Sequence, residues 1–500
     1  MNAIKKLFQP IDMTVGEPWK NIIVFAIPML LGNIAQQLYN TVDSVVIGRY
    51  VGDNALAAVG SAGPVLMLLT VLFIGISMGA SIMVSQHFGA KRREDLSKTI
   101  GNCITLTGIA VIIIMAASTI LVRPMLELIK TPESIIDWTA SYLLILFLGC
   151  AGGAYYNILS GILRGLGNAG SALLYLLVAT VINIALDLLF VTVFHWGVPG
   201  VALATIIAQF VSALCCLFKL MRMREHFDMD FSQLKLSRGH ALRVIRLGLP
   251  SGLTQAIFSM AMVMVQSLTN SFGEMFIAAN VVVMRVDGFA MMPNFSFGTA
   301  MTTFVGQNVG ARRLDRVKQG ARQGTLIAVG TAITLTSLIL IFGRQLMGVF
   351  TDTEELIQLS RDMMSIIAVG YIAMAVTQCL SGVMRGAGDT MTPMWISLFT
   401  TVIVRVPIAY TIAYLTRSPE FPGGRRECTY ISLLTAWLTG ALITTICYAA
   451  GHWKKKAEKS GRIDEKGKAV GETDDNGIRI DTVIDTDINT PAEVEPAEAE

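Results

Sequence analysis

Ser160-Gly-Ile-Leu-Arg-Gly-Leu-Gly167 and Ser381-Gly-Val-Met-Arg-Gly-Ala-Gly388 are two copies of one motif, 221 positions apart. The same offset relates further pairs along the chain: Gln86 and Gln307, Gly89 and Gly310, Ala90 and Ala311. A single offset that holds over several separated motifs indicates an internal duplication. The sequence therefore predicts two homologous halves.

The composition indicates that both halves lie in a membrane. Of 500 residues, 53% are hydrophobic and 15% are charged, and the mean hydropathy is +0.59. Soluble domains carry about 25% charged residues. Apolar runs such as residues 172–194 are long enough to cross a bilayer, which takes roughly 20 residues in a helix. The chain is predicted to be an all-α polytopic membrane protein.

The apolar runs predict about twelve transmembrane helices. Their centres fall near residues 30, 70, 110, 145, 180, 207, 255, 290, 330, 367, 402 and 440. About six spans per half return the chain to its starting side, so the halves share one orientation. We expect two six-helix bundles related by a pseudo-twofold axis along the membrane normal, as in secondary transporters built from parallel repeats.

The predicted domain boundaries follow from the polar segments. They give a first lobe at 1–222, a cytoplasmic linker at 223–240, a second lobe at 241–453 and a tail at 454–500. The tail is polar and acidic at its end and has too few apolar residues to form a core, so we expect disorder. Lys and Arg concentrate at both ends and in every second loop, which predicts cytoplasmic termini.

One face of the first span is polar. Asn33, Gln36, Asn40 and Asp43 follow a spacing of three and four residues, which places them on one side of a helix. A single polar residue in a membrane helix often joins two helices, but four on one face indicate the wall of a water-filled substrate cavity. Pro28 precedes them in the same span and is a candidate hinge, or else a tolerated kink.

A second acid lies in a later span. Asn183 and Asp187 are four residues apart and share a helix face, and Thr205 in the next span could add a hydroxyl. An acid inside a membrane is costly and by default suggests a functional site. With Asp43 these groups would bind a coupling proton or Na⁺. The alternative is that the acids serve only as hydrogen-bond partners.

The second half lacks this set of residues. The repeat offset places Val404 and Ile408 opposite Asn183 and Asp187. The second half instead carries charged, thioether and aromatic side chains in apolar runs, which suit varied or cationic ligands; ordinary helix packing is the alternative. They extend the predicted substrate cavity to Met260, Met264, Arg285, Asp287 and Phe289, and Arg405 is a further charge in such a run.

Enzyme motifs are poor. Gly75-Ile-Ser-Met-Gly79 matches G-x-S-x-G but lies in an apolar helix rather than a strand–turn–helix elbow. No P-loop pattern occurs, and the five His residues lack close metal-ligand spacing. We therefore expect neither an enzyme nor a built-in ATP motor.

With these residues in hand, the sequence resembles the multidrug and toxic compound extrusion (MATE) family, in its DinF-like or a related bacterial branch. The resemblance covers about residues 18–452. It rests on the Pro28 span ending Leu38-Tyr-Asn-Thr-Val-Asp43-Ser-Val-Val-Ile-Gly48, on the paired Gln86 and Gln307 segments, and on the twin Ser-Gly-x-x-Arg-Gly-x-Gly motifs.

The resemblance implies a secondary antiporter that exports cationic or amphipathic drugs or metabolites in exchange for H⁺ or Na⁺. Asp43, Asn183, Asp187 and Thr205 match positions of a first-lobe cation site in this branch. Some sodium-coupled members use acids in the second lobe, and no clear acid stands at those places here, which leaves the coupling ion open.

The expected partners are an organic small molecule, the coupling cation and the lipid bilayer, with no nucleic acid and no other subunit. The expected location is the plasma membrane of a bacterium. The alternative function is a flippase for lipid-linked precursors, from the same superfamily.

Overall fold

The computed structural model describes residues 8–128, 131–223, 225–228, 231–419 and 423–462, with two short strands beyond them. Within these ranges the first half contains seven helices: α1 Pro18–Tyr50, α2 Asp53–Gly89, α3 Arg93–Leu128, α4 Glu133–Leu148, α5 Cys150–Gly165, α6 Ala169–Leu188 and α7 Gly197–Met221. The second half contains eight more: α8 Arg238–Asn270, α9 Glu274–Gly310, α10 Leu314–Gly348, α11 Glu354–Ala368, α12 Gly370–Gly386, α13 Met391–Leu398, α14 Arg405–Leu415 and α15 Cys428–Ala450.

Shorter elements complete the described chain. They are π-helical turns at Leu189–Val193 and Phe399–Val404, a 3₁₀ turn at Phe231–Leu234, helix α16 at His452–Arg462, and antiparallel strands β1 Glu472–Thr473 and β2 Arg479–Ile480. In the described part of the chain, ten helices are long and apolar enough to cross a bilayer, and the number rises to twelve if each bent pair is one span. The predicted fold class is confirmed.

The two bent pairs occupy equivalent places in the halves. Helices α4 and α5 meet at 52°, and α11 and α12 meet at 43°. Counting each pair as one span gives six spans per half, and every span of the first half has a counterpart in the second. The duplication read from the motifs is thus a duplication of structure.

The repeated motifs meet where the two lobes touch. The Gln86 side chain donates to the Gly386 carbonyl at 2.9 Å, and the Gln307 side chain donates to the Gly165 carbonyl at 3.3 Å. Because Gln86 corresponds to Gln307 and Gly165 to Gly386, the two bonds are related by the pseudo-twofold axis. Added methyl groups at the paired residues Gly89 and Gly310 would collide with the carbonyls of Gln307 and Gln86, so only glycine permits this close approach.

The N-terminal segment strengthens the same contact. The amide N–H of Met13 donates to the Gln307 side chain at 2.8 Å, and Asn168, at the start of α6, donates to the Phe8 carbonyl at 3.1 Å. Residues 8–13 therefore join the two lobes at the end of the bundle that carries the basic loops 91–98 and 311–322.

The structure differs from the predicted boundaries at two places. Helix α8 begins at Arg238, so the linker is shorter than 223–240. The tail predicted to be disordered from Lys454 begins as helix α16, whose Trp453 and Ala457 are buried. Gly451 has a φ of 77°, and this left-handed turn lets the chain fold back against the second lobe. Apart from β1 and β2, residues 463–500 lie outside the described residues.

Candidate functional site

The predicted cation-binding residues come together inside the first lobe. Asp43 extends from α1, Asn183 and Asp187 from α6, and Thr205 from α7. Asp43 lies beside Asp187, and Asn183 adjoins Asp187. Tyr39, one turn before Asp43, lies close to Thr205 and to both carboxyl groups. We name Tyr39, Asp43, Asn183, Asp187 and Thr205 the first-lobe acid cluster.

The first-lobe acid cluster is buried except for Asp43, which is half-buried, and it is short of hydrogen-bond partners. Asn183 and Asp187 have no exposed surface, and Tyr39 and Thr205 are buried. Seven of its polar atoms are buried without a hydrogen-bond partner among the described residues: Tyr39 Oη, Asp43 Oδ1, Asn183 Nδ2 and Oδ1, Asp187 Oδ1 and Oδ2, and Thr205 Oγ1. Buried polar groups are normally paired because an unpaired one costs about 1–3 kcal/mol. The oxygens of the cluster are therefore free to accept a hydrogen bond, a proton or a cation.

The local backbone places Asp187 at a special point. The α-helical pattern ends at Leu188 and continues as a π-helical turn at Leu189–Val193. Such turns are rare and concentrate at functional sites. The equivalent span of the second lobe has its own π-helical turn, Phe399–Val404, followed directly by Arg405. Each turn thus adjoins a charged residue within the membrane.

The polar face of α1 continues from the cluster towards the space between the lobes. Gln36 and Asn40 are exposed, while Asn33 donates to the Ser296 hydroxyl of α9 at 3.0 Å. At about 100° per residue, this face lies opposite the exposed apolar side chains of the same helix, namely Ile27, Leu31, Leu38 and Val45. The apolar side suits lipid, and the polar side suits a wet space between the lobes.

A cavity large enough for a small organic molecule lies inside the second lobe. Its volume is about 440 Å³, within the range for drug-sized ligands. Helices α8, α9, α12, α13, α14 and α15 line it, with two residues of α2 from the first lobe. Among its lining residues only Asp287, Arg385 and Arg405 are charged. We call this space the second-lobe cavity.

One of the predicted cavity residues belongs to the second-lobe cavity. Asp287 lines the second-lobe cavity, where its Oδ1 accepts from the Tyr371 hydroxyl at 2.9 Å. The other predicted residues are absent from that lining: Asn33, Gln36, Asn40, Met260, Met264, Arg285 and Phe289. The last four are exposed in the structure, because their helix faces turn away from the cavity. The second-lobe cavity therefore contains one of the eight predicted cavity residues, and a shared substrate cavity stays a prediction.

Comparisons with known proteins identify the family of the chain. The profile of the MatE family matches residues 28–189 and again 250–411. The chain belongs to the MatE family. Its members are transporters and not enzymes, as the sequence predicted. The two matched ranges fall on the two lobes, one copy of the family domain in each.

The relatives carry related names. This MatE chain is 32% identical to the probable multidrug resistance protein YoeA of Bacillus subtilis strain 168, over 80% of this chain and 88% of that protein. It is 25% identical to the probable multidrug resistance protein NorM of Thermotoga maritima, over 89% of this chain and 95% of that protein.

Solved structures share the fold. A crystal structure of MATE in the bent conformation has a TM-score of 0.82 and 23% identity, over 92% of this chain and 99% of that chain. An outward-facing multidrug resistance MATE family transporter of the MOP superfamily has a TM-score of 0.81 and 23% identity, over 89% of this chain and 99% of that chain.

Sequence reasoning missed two features of this MatE chain. The first is that Tyr39 belongs to the first-lobe acid cluster. Its position four residues before Asp43 places it on the same helix face, which the sequence alone could have shown. The second is the pair of arginines in the second-lobe cavity. The sequence indicated Arg405 only as a charge in an apolar run. Arg385 is part of a repeated motif, and its counterpart in the first copy, Arg164, donates hydrogen bonds to serine hydroxyls.

Proposed function

We propose that this protein is an antiporter that exports cationic or amphipathic organic molecules in exchange for inward H⁺ or Na⁺. The names of its relatives as multidrug resistance proteins support the substrate class. The unsatisfied first-lobe acid cluster carries the coupling half of the proposal. Carboxylate, amide and hydroxyl oxygens are the donors that a hard cation prefers, and a carboxylate also takes up a proton.

Coupling follows from differential binding. An ion shifts an equilibrium between two conformations only if it binds them with different affinities. The first-lobe acid cluster draws on three helices, α1, α6 and α7, so a bound cation favours the arrangement in which they converge. Movement of α1 about Pro28, which lies inside it, would separate Asp43 from Asp187 and release the ion.

The orientation completes the cycle. The basic loops support a cytoplasmic location for the end where Gln86 and Gln307 meet the opposite lobe. The proposed location is the plasma membrane of a bacterium, with the N-terminus and α16 cytoplasmic. The lobes are then closed towards the cytoplasm, and the polar face of α1 is turned towards the outside, from which the driving ion enters.

The test replaces each acid by its amide. Asp43→Asn and Asp187→Asn keep the side-chain size but remove the ionisable charge. In proteoliposomes with a proton gradient or a sodium gradient imposed separately, the unaltered protein should move a fluorescent organic cation uphill with one of the two gradients. We expect at least a tenfold loss in each variant, with normal insertion into the membrane.

The matched control is Asp137→Asn, which alters an exposed acid of α4 that only approaches Arg123, at 3.8 Å. It should transport at the rate of the unaltered protein. Uphill transport at full rate in both cluster variants would refute the first-lobe ion site, and the absence of any gradient-driven transport in the unaltered protein would refute the antiporter itself. Of the two functions expected from the sequence, the family match favours this one over a flippase for lipid-linked precursors.

A further inference from the structure

The second-lobe cavity contains a cation with no partner. Arg385 lines the cavity, and its Nε is buried without a hydrogen-bond partner. The described residues give its guanidinium no salt bridge and no hydrogen bond. Five N–H donors in a fixed plane are costly to leave unpaired inside a membrane protein.

The duplication shows what Arg385 lacks. Its first-lobe counterpart, Arg164, donates to the Ser160 hydroxyl at 3.2 Å and to the Ser77 hydroxyl at 3.4 Å. Ser160 has its equivalent in Ser381, but the repeat offset places Gly298 opposite Ser77. Arg164 is thus held by hydroxyl groups of its own lobe. Arg385 lacks the counterpart of one of these two hydroxyls, because Gly298 stands where the first lobe has Ser77.

The charged residues of the whole cavity lining also give an excess of positive charge. Arg405 also lines it with a buried, unpartnered Nε, whereas the only acid of the lining, Asp287, bonds to Tyr371. Arg405 and Asp287 are not within salt-bridge distance. Two guanidinium groups and one carboxylate leave the described lining with a net positive charge. Another buried acid of the same lobe, Asp389, is already held by Lys456 at 2.6 Å and by Thr392.

We propose that the second-lobe cavity binds amphipathic organic molecules that carry an anionic group, with the carboxylate or phosphate seated on Arg385. Planar N–H pairs of arginine match the two oxygens of such a group. The apolar part of the ligand would lie along Met291, Phe295 and Trp437 of the same lining. This deepens the proposed function, on which it rests, by adding acids and zwitterions to the substrates and by assigning them a place remote from the first-lobe acid cluster.

The test measures binding directly. The purified full-length protein in phosphatidylcholine nanodiscs is titrated with dansylglycine, an amphipathic carboxylate, and with its methyl ester, which has the same shape without the charge. We expect the acid to bind at least tenfold more tightly than the ester. Arg385→Gln should remove this preference, Arg385→Lys should restore part of it, and Arg164→Gln, the repeat-related control, should leave it unchanged.

A second variant keeps the charge. Gly298→Ser reintroduces the hydroxyl found in the first lobe, and its added carbon would lie 3.1 Å from the Gln378 carbonyl, which requires a small local shift. This hydroxyl should compete for Arg385 and weaken binding of the acid several-fold, with little change for the ester. Equal affinities for acid and ester in the unaltered protein, or a preference that survives in Arg385→Gln, would overturn the proposal.

Adding phosphatidylglycerol to the nanodiscs tests whether the anionic ligand of the cavity is a lipid or a soluble acid. Arg385-dependent displacement of the probe would show that a lipid phosphate uses the anion site, and no displacement would show that it selects soluble acids; both outcomes support the site. Binding and transport fail independently. Acid binding that depends on Arg385 without any gradient-driven transport would refute only the antiporter, and transport without acid preference would refute only the anion site.

Discussion

At the scale of single residues, the two lobes use buried polarity in opposite ways. The first lobe gathers two carboxylates with an amide and two hydroxyls, and the second places two guanidiniums around one carboxylate. Both sets contain groups that their own lobe does not satisfy. The two proposed sites of this duplicated scaffold thus differ in charge, one for a cation and one for an anion, and a transporter with both would couple the binding of an ion to the binding of a differently charged substrate.

Thr205→Val tests the contribution of a single neutral ligand. The substitution preserves the branched shape and removes the only unpartnered hydroxyl that α7 gives to the first-lobe acid cluster. We expect the concentration of driving cation at half-maximal transport to rise about tenfold, since one hydrogen bond or ligand to a charged species contributes about 1.5–3 kcal/mol. The maximal rate should change little.

The control is Thr180→Val in α6, whose hydroxyl already bonds to the Leu176 carbonyl of its own helix at 2.9 Å. Transport by this variant should keep the normal ion dependence. An unchanged half-maximal concentration in Thr205→Val would remove Thr205 from the site.

Sequence patterns reached the first-lobe site but not the second because the two depend on different kinds of information. Asn183 and Asp187 can be identified from the sequence because they are polar residues at helical spacing in an apolar run. Arg385 looks identical to Arg164 within its motif, and the difference lies in Ser77 and Gly298, on another helix. Only the packing of α9 against α12 shows that these positions meet.

At the scale of elements, α16 shows how a polar segment acquires structure by docking. The Trp453 indole N–H donates to the Tyr448 carbonyl at 3.0 Å, and the two rings stack 5.4 Å apart. Lys456 reaches Asp389, which is 1% exposed, between α12 and α13. Charge counting in the sequence predicts disorder here because it does not see the buried acid that Lys456 neutralises.

Lys456→Met should lower the melting temperature of the purified protein. The substitution leaves Asp389 buried with only Thr392 as a partner, at an expected cost of about 1–3 kcal/mol. Lys455→Met, at an exposed neighbouring position, should have no effect. Unfolding is followed by the fluorescence of a thiol-reactive dye that reacts with the buried cysteines as they become exposed. Equal melting curves for the two variants would show that α16 does not stabilise the lobe.

At the scale of the whole molecule, the pseudo-twofold axis passes through the contact that must open during transport. The reciprocal bonds from Gln86 to Gly386 and from Gln307 to Gly165 cross from lobe to lobe. The N-terminal segment adds Met13 to the same junction. The motifs that reveal the duplication are therefore the motifs that close one end of the bundle, and their similarity follows from the symmetry of that contact.

Gln86→Ala and Gln307→Ala should each shift the lobes towards the state that is open at the basic-loop end. Gln86 donates to Gly386 and accepts from Arg243, and Gln307 donates to Gly165 and accepts from Met13. Losing one such buried hydrogen bond of the closed end costs about 1–3 kcal/mol, which changes the ratio of the two states about 5- to 150-fold. Because the bonds are related by the pseudo-twofold axis, we expect two effects of similar size and a larger one in the double variant.

The measurement uses spin labels at two repeat-related, exposed acids, Glu94 at the start of α3 and Asp315 at the start of α10, each changed to cysteine in a chain whose seven native cysteines are alanine. Electron–electron resonance should show a longer distance gaining population in both glutamine variants. Gln358→Ala, which removes only an exposed bond to Asp362 on the same helix, is the control. If the distance distribution stays the same in the double variant, the glutamine pair does not hold the lobes together, and the closed end must depend instead on the glycine contacts and the N-terminal segment.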